Sequence, residues 1–382
     1  MRKLCHIKPD APSSSATVLF RWHPSGTLFA ISGTADAGVK IFSFRDGRPR
    51  FLATVPLDRD VLALEWSRDG ASLAIMEREA ATLIVWRTSS RRSRRVETHA
   101  ASPSFLRWSE RADRVAVGTE AGDLFVYDVG RRSGCPVLGK HPDRIVCGDW
   151  GGDGRLVLGS ADRTVTISDG DGETLEQHDL PYVPADIEFL SRARDREKED
   201  ASVSKESPIT QRMLINREGK ALLLYDVRDL KNPVEHTLPS EYGTIVSQVW
   251  YDEHHLLVGC SHGWLVTLSV SSTYEMKETC AQKLYSEALY ALSVSPPLQR
   301  AATVGDGGLK LLDLRAPTSL ELTAESASVH RALSDDTDGP RPMRVRWSPD
   351  GTILAVCTPH GAVALFSARL PTAWATCGTR VA

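Results

Sequence analysis

Between Met343 and Phe366 the order of apolar and polar residues predicts three short strands. Val345 and Trp347 alternate with Arg344 and Arg346, the period-two pattern of a half-buried strand. Pro349-Asp350-Gly351 predicts a tight turn, because proline presets φ and glycine accepts the positive φ that other residues resist. Ile353-Leu354-Ala355-Val356 is a second, more continuously apolar strand. Val363-Ala364-Leu365-Phe366, after Pro359-His360-Gly361, is a third. One sheet of this size leaves both faces open to water. The unit therefore requires copies of itself alongside.

The chain supplies them. Leu19-Phe20-Arg21-Trp22-His23-Pro24-Ser25-Gly26, Leu64-Glu65-Trp66-Ser67-Arg68-Asp69-Gly70, Phe105-Leu106-Arg107-Trp108-Ser109, Val146-Cys147-Gly148-Asp149-Trp150 and Val249-Trp250-Tyr251-Asp252 repeat the pattern. Within this pattern Trp22, Trp66, Trp108 and Trp150 are spaced by 44, 42 and 42 residues; from Trp150 to Trp250 is 100 and from Trp250 to Trp347 is 97. Each wide gap accommodates two units. The weaker ones are Ile187-Glu188-Phe189-Leu190 with Leu222-Leu223-Leu224-Tyr225-Asp226, and Ala291-Leu292-Ser293-Val294 with Leu309-Lys310-Leu311-Leu312-Asp313. A period of roughly 40–45 residues with several short strands per unit predicts an all-β, WD40-type β-propeller. The count is eight blades, or seven if the last unit belongs to a following domain.

Residues 1–369 are expected to form a single propeller. Leu4-Cys5-His6-Ile7 is the candidate outer strand that closes the ring against the last blade, since pairing first and last segments removes exposed sheet edges. Residues 191–208 have almost no apolar content and read as a charged insertion in blade five. Residues 334–342 read as another loop, and 370–382 as the start of a connector carrying Trp374.

At 382 residues with 41% apolar content the chain can build such a ring, and a net charge of −3 predicts neither a nucleic-acid nor a membrane-surface protein. No apolar run approaches the ~20 residues that span a bilayer, and the first fifteen residues lack the apolar centre of a signal peptide. Seven scattered cysteines without a CxxC pair suggest a reducing compartment. Cys147, Cys260 and Cys357 lie in apolar strands and are expected to be buried thiols.

Candidate chemistry is sparse. Gly139-Lys140-His141 and Asp162 stand where WD repeats carry a buried histidine–aspartate network, although the tryptophan that would complete it is missing from Thr166-Ile167-Ser168-Asp169. The repeat positions Trp22, Trp66, Trp108, His141, Trp150, Asp162, Trp250 and Trp347 are thus assigned structural roles. Asp169-Gly170-Asp171-Gly172 lacks the acidic ligand a calcium loop needs at position twelve, which is Leu180. His254 and His255 are adjacent and point to opposite faces of a strand. No cofactor, metal or catalytic set is expected, and the chain is not read as an enzyme. Ser89 to Arg95 is a basic run between blades two and three, where Arg91, Arg92, Arg94 and Arg95 could meet an anionic partner. It lacks the interleaved aromatics of a nucleic-acid surface, and a solvated loop is the simpler expectation.

Pro136-Val137-Leu138-Gly139-Lys140-His141, followed by Arg144-Ile145 and Cys147-Gly148-Asp149-Trp150, resembles a blade of the WD repeat-containing protein 19 (intraflagellar transport protein 144) family. Val39-Lys40-Ile41-Phe42, Phe105-Leu106-Arg107-Trp108-Ser109, Ala116-Val117-Gly118-Thr119, Leu370-Pro371 and Cys377-Gly378-Thr379-Arg380-Val381-Ala382 extend the likeness over the whole chain. The basic run and the charged insertion depart from it. The resemblance implies the N-terminal propeller of an intraflagellar transport complex A subunit, acting in the cilium or flagellum and at the basal body, with a cytoplasmic pool. In that family a second propeller and a helical tail follow. The implied partners are other complex A subunits, with ciliary membrane cargo, adaptors or ubiquitin as further candidates. A large apolar patch would favour an assembly role; a charged or aromatic pocket at the central opening would favour ligand recognition.

Overall fold

Eight four-stranded antiparallel sheets follow one another along the chain, each strand paired with its sequence neighbour. The computed structural model describes the chain except residues 8–17, 33–37, 46, 99–101, 112, 191–211, 227–228, 253, 272–274, 317–318, 324–342, 359–361, 369–375, 378–379 and 382. Blade one runs Phe20–Trp22, Leu28–Ile31, Gly38–Arg45, Arg48–Pro56, and the same order recurs in the next six blades. Blade eight is built differently. Arg344–Trp347, Ile353–Cys357 and Val363–Ser367 take their fourth strand from Arg2–Ile7 at the other end of the chain. His6 lies opposite Ala364 and Ile7 opposite Val363. The ring is an eight-bladed propeller closed by its own N-terminus. Among the described residues there is no α-helix, only the short 3₁₀ turns Ser240–Tyr242 and Pro296–Leu298.

The core lies between blades. The second strand of blade two, Ser72–Glu77, is buried at every position, because neighbouring blades cover both of its faces; such strands read as continuous apolar runs rather than alternating ones. Trp66 of blade two packs with Val39, Ile41 and Val55 of blade one, and Phe20 and Phe29 of blade one pack with Ile353, Ala355 and Leu365 of blade eight. The outermost strands need cover on neither face and carry polar residues.

In blades two and eight the turn after the innermost strand is held by its own side chains. In blade two Ser67 Oγ donates to Asp69 Oδ1 at 2.6 Å and accepts Ser72 N–H at 3.0 Å; in blade eight Ser348 Oγ donates to Asp350 Oδ1 at 2.6 Å and accepts Ile353 N–H at 2.9 Å. Gly70 completes the turn at φ +72°, where a Cβ would run into the ring of His23 from blade one. The His23 Nε2–H in turn donates to the Gly70 carbonyl at 2.9 Å. A tight turn of one blade is thus docked on a side chain of the blade before it.

Candidate ligand site at the central opening

The innermost strands meet around the axis and expose a polar lining there. At the last position of the repeated pattern stand Trp22, Trp66, Trp108, Trp150, Phe189, Trp250, Val294 and Trp347, each aligned by its pairing to the second strand of its blade. Four of the indoles donate Nε1–H to the innermost strand of the preceding blade. Trp22 donates to the Arg346 carbonyl at 3.4 Å, Trp66 to Arg21 at 3.3 Å, Trp108 to Glu65 at 2.9 Å and Trp150 to Arg107 at 3.2 Å. The buried indole nitrogens of Trp250 and Trp347 have no hydrogen-bond partner among the described residues. Both follow a blade that carries Phe189 or Val294 in place of tryptophan.

The residue immediately before each of these positions forms a ring at one depth: Arg21, Glu65, Arg107, Asp149, Glu188, Val249, Ser293 and Arg346. Several also bind the next blade. Glu65 Oε2 accepts Trp108 N–H at 3.0 Å, Asp149 Oδ2 accepts Phe189 N–H at 2.9 Å, and Ser293 Oγ accepts Trp347 N–H at 3.0 Å. These bonds satisfy backbone donors on strands that have no ladder partner toward the axis.

Charge around the ring is segregated. Arg107 sits between Glu65 at 3.7 Å and Asp149 at 3.1 Å. Burial disfavours its charge, but these carboxylates with Asp186 and Glu188 outweigh that and raise its pKa. On the side of blades four and five, Asp149, Asp186 and Glu188 crowd together. Burial, then Asp186 and Asp149, push Glu188 up to about 8. Burial also raises Asp149 and Asp186, with Arg107 opposing. On the other side, blades eight and one bring Arg344, Arg346 and Arg21 together. Burial and the neighbouring Arg346 lower Arg21 to about 10 against the pull of Glu65, and burial and Arg344 lower Arg346. The opening thus has an acidic arc and a basic arc.

The histidine–aspartate network in blade four is closed without a tryptophan. His141 Nδ1 lies 3.0 Å from Asp162 Oδ2 and 3.0 Å from Thr164 Oγ1, and Nε2 lies 3.0 Å from Thr166 Oγ1. The sequence had predicted an incomplete network; Thr166 supplies the missing partner because its side chain faces the ring from the adjacent strand. Burial lowers the His141 pKa against the pull of Asp162, so the neutral ring donates to the aspartate. Lys140 is buried beside it and donates to Ser168 Oγ at 2.7 Å, the Gly172 carbonyl at 2.8 Å and Thr174 Oγ1 at 2.6 Å.

The basic run is not a loop. Arg92–Glu97 is the outermost strand of blade two, paired with Thr82–Arg87, and only Arg91 belongs to the turn before it. An outermost strand requires a ladder on one side and no apolar face, so a run of arginines can occupy it. Arg92 and Arg94 are exposed, while Arg95 reaches Asp58 at 2.7 Å and Glu77 at 3.8 Å. It is not continuous with the basic arc.

Cys147, Cys260 and Cys357 are buried free thiols, and burial raises Cys260 and Cys357 to about 12. Asp169 caps its own turn, accepting the N–H groups of Asp171 and Glu173. His255 is held by Asp252 at 2.8 Å. The charged insertion, residues 334–342 and Trp374 lie outside the described residues, as does most of the expected connector. Among the described residues the exposed large apolar side chains, Phe51, Leu138, Leu175, Val246, Leu322 and Met343, are spread over six blades. The sequence did not single out the charged ring, although aligning the repeats on their tryptophans displays it.

Residues 18–361 match the family model described as the WDR19 first beta-propeller. The chain belongs to that family. Within it, WD repeat-containing protein 19 of Mus musculus is 28% identical over 369 residues, covering 96% of this chain and 26% of the relative. The Homo sapiens protein of the same name is also 28% identical over 369 residues. WD repeat-containing protein dyf-2 of Caenorhabditis elegans is 22% identical over 374 residues, covering 97% of this chain and 25% of the relative. The chain thus spans about a quarter of the length of these relatives. Solved WD40 folds agree: the C-terminal WD40 domain of Sif2 superposes with a TM-score of 0.70 at 12% identity, covering 96% of this chain and 98% of that one. Saccharomyces cerevisiae Sqt1 gives 0.68 at 12% identity.

Proposed function

We propose that this propeller is a non-catalytic interaction domain of an intraflagellar transport complex A subunit, serving retrograde ciliary transport and the admission of membrane cargo to the cilium. The observation that carries the reading is the family match across almost the whole ring. A rigid closed ring with its polar groups tied into inter-blade bonds suits a part that other subunits pack against. Residues 1–369 would form that ring and 370–382 the start of a connector. The cilium or flagellum and the basal body, with a cytoplasmic pool, are the corresponding locations, and other complex A subunits the corresponding partners. Among the described residues no helix is long and apolar enough to cross a membrane.

A second reading, a module that reads cargo tails, adaptors or ubiquitin, is favoured by the segregated charge at the central opening. The test is capture of complex A subunits from ciliated-cell lysate, with the 382-residue chain as bait and quantitative mass spectrometry as readout. Recovery of the complex that survives moderate salt supports the assembly reading. Recovery of ubiquitinated membrane proteins or adaptors without the complex transfers the propeller to the recognition reading. Recovery of neither removes both.

A further inference from the structure

The basic arc is unlike the other arginines of this ring. Arg107, at the same depth as Arg21 and Arg346, is held between two carboxylates, and Arg114 pairs with Asp128 at 3.7 Å and Asp171 at 3.0 Å. Arg21, Arg344 and Arg346 have no carboxylate within ion-pairing distance among the described residues. The Arg21 Nη1 donates to the carbonyl of its own neighbour, Phe20, at 3.1 Å. Three guanidinium groups are thus gathered where blade eight meets blade one, Arg21 and Arg344 half-buried and Arg346 exposed to the opening.

Keeping like charges together with no opposite charge paired to them is unfavourable. Nothing in the packing demands it, because the corresponding position is Val249 in blade six and Ser293 in blade seven. A counter-anion would remove the cost. We infer that Arg21, Arg344 and Arg346 form a binding site for an anionic peptide segment, one that presents carboxylate or phosphate groups to the central opening.

The geometry supports a peptide. Arg344 opens its strand and Arg346 lies two residues deeper on the same face, with Arg21 beside it in the next blade. Arg344 and Arg346 are spaced along one strand, which suits an extended segment carrying successive anionic groups. Arginine forks take carboxylate and phosphate oxygens two at a time. The acidic arc of Asp149, Asp186 and Glu188 repels the same groups, so an anionic segment is directed to one side of the opening. This inference deepens the recognition reading and does not depend on complex membership, because it is tested on the isolated chain.

The probes are fluorescein-labelled hexaglutamate, a phosphoserine–glycine peptide of equal length, hexalysine and a glycine–serine control, followed by anisotropy at two salt concentrations. Both anionic peptides are expected to bind, more weakly at high salt, and the control is not. Arg344→Gln with Arg346→Gln is expected to weaken binding about tenfold or more, roughly the loss of one charged fork. Arg92→Gln with Arg94→Gln on the outer strand is expected to leave it unchanged. A phosphopeptide that binds tighter than hexaglutamate assigns phosphate as the preferred group, and a tighter hexaglutamate assigns carboxylate. Thermal unfolding establishes that each variant is folded. Should the glutamine pair unfold, Arg344→Lys with Arg346→Lys keeps the charge, removes the forks and is expected to weaken the phosphopeptide about tenfold at equal salt. Failure of both anionic peptides to bind, preference for hexalysine, or loss of binding only in the outer-strand variant would overturn the inference.

Discussion

The indole of Trp108 donates to the backbone carbonyl of Glu65 at 2.9 Å, while the Glu65 carboxylate accepts the backbone N–H of Trp108 at 3.0 Å. Two residues on consecutive innermost strands are thereby joined twice, by backbone and side chain in exchange. The indole half of the joint recurs at Trp22, Trp66 and Trp150 and fails at Trp250 and Trp347. The failures follow the two blades that lack their own tryptophan. Equal residues in the repeat therefore do unequal work.

Trp108→Phe removes a made hydrogen bond, whereas Trp250→Phe removes a buried donor that has none. The first should cost about 1 kcal/mol more than the second in urea unfolding. Trp347→Ala, which empties a site between Val304, Leu311 and Phe366, should cost about 3–5 kcal/mol. Equal losses for the two phenylalanine variants would contradict the inter-blade bonding described above.

Gly70→Ala places a side chain at φ +72° and against the His23 ring. The left-handed backbone alone should cost about 1–2 kcal/mol, and the clash adds to it. Combining it with His23→Ala should recover part of the loss, a coupling measured by a double-mutant cycle. Strict additivity would mean that the blade-two turn does not rest on His23.

His141→Ala leaves the buried Thr166 hydroxyl without its partner and takes one bond each from Asp162 and Thr164, which keep each other. A loss of about 2–4 kcal/mol is expected in chemical denaturation. Because burial depresses its pKa, the contribution of His141 is present above the ordinary histidine range and fades as pH falls through the folded value. The stability difference between wild type and variant should therefore narrow in acid. A difference that widens below pH 6 would mean that the ring is charged in the fold.

Glu188 should give the opposite slope. An unfolded glutamate ionises near 4.5, while the folded one holds its proton up to about 8. Folding takes up a proton between these values, so stability falls as pH rises through the window and levels above it. Glu188→Gln has no proton to lose. Its unfolding midpoint should match wild type near pH 4 and exceed it near pH 9. Parallel curves across that range would show that Glu188 is fully solvated in the opening.

The eight-blade count and the closing N-terminal strand were legible because short strands between blades need continuous apolar runs, and tryptophan is costly to leave in water. Leu4 to Ile7 was readable as the fourth strand because a ring without it leaves an edge. Ser89 to Arg95 reads as a loop in the sequence for the converse reason, although Arg92–Glu97 is a strand. A strand with no face to bury has no hydrophobic period, and only its ladder to Thr82–Arg87 defines it. Thr166 escaped notice as the partner of His141 because a hydroxyl in a strand has no sequence signature until the neighbouring strand is placed.

By itself, then, the sequence determined the fold class and repeat length, consequences of local patterning read forty-odd residues at a time, while the pairing of Arg2–Ile7 with Val363–Ser367 decided eight blades over seven. Tertiary structure alone decided which charges meet. Arg346 and Arg21 are more than three hundred residues apart and become neighbours only when the last blade closes on the first. Whether a guanidinium faces a carboxylate, as Arg107 does, or another guanidinium, as Arg21 does, depends on that closure and on the fixed order of blades around one axis.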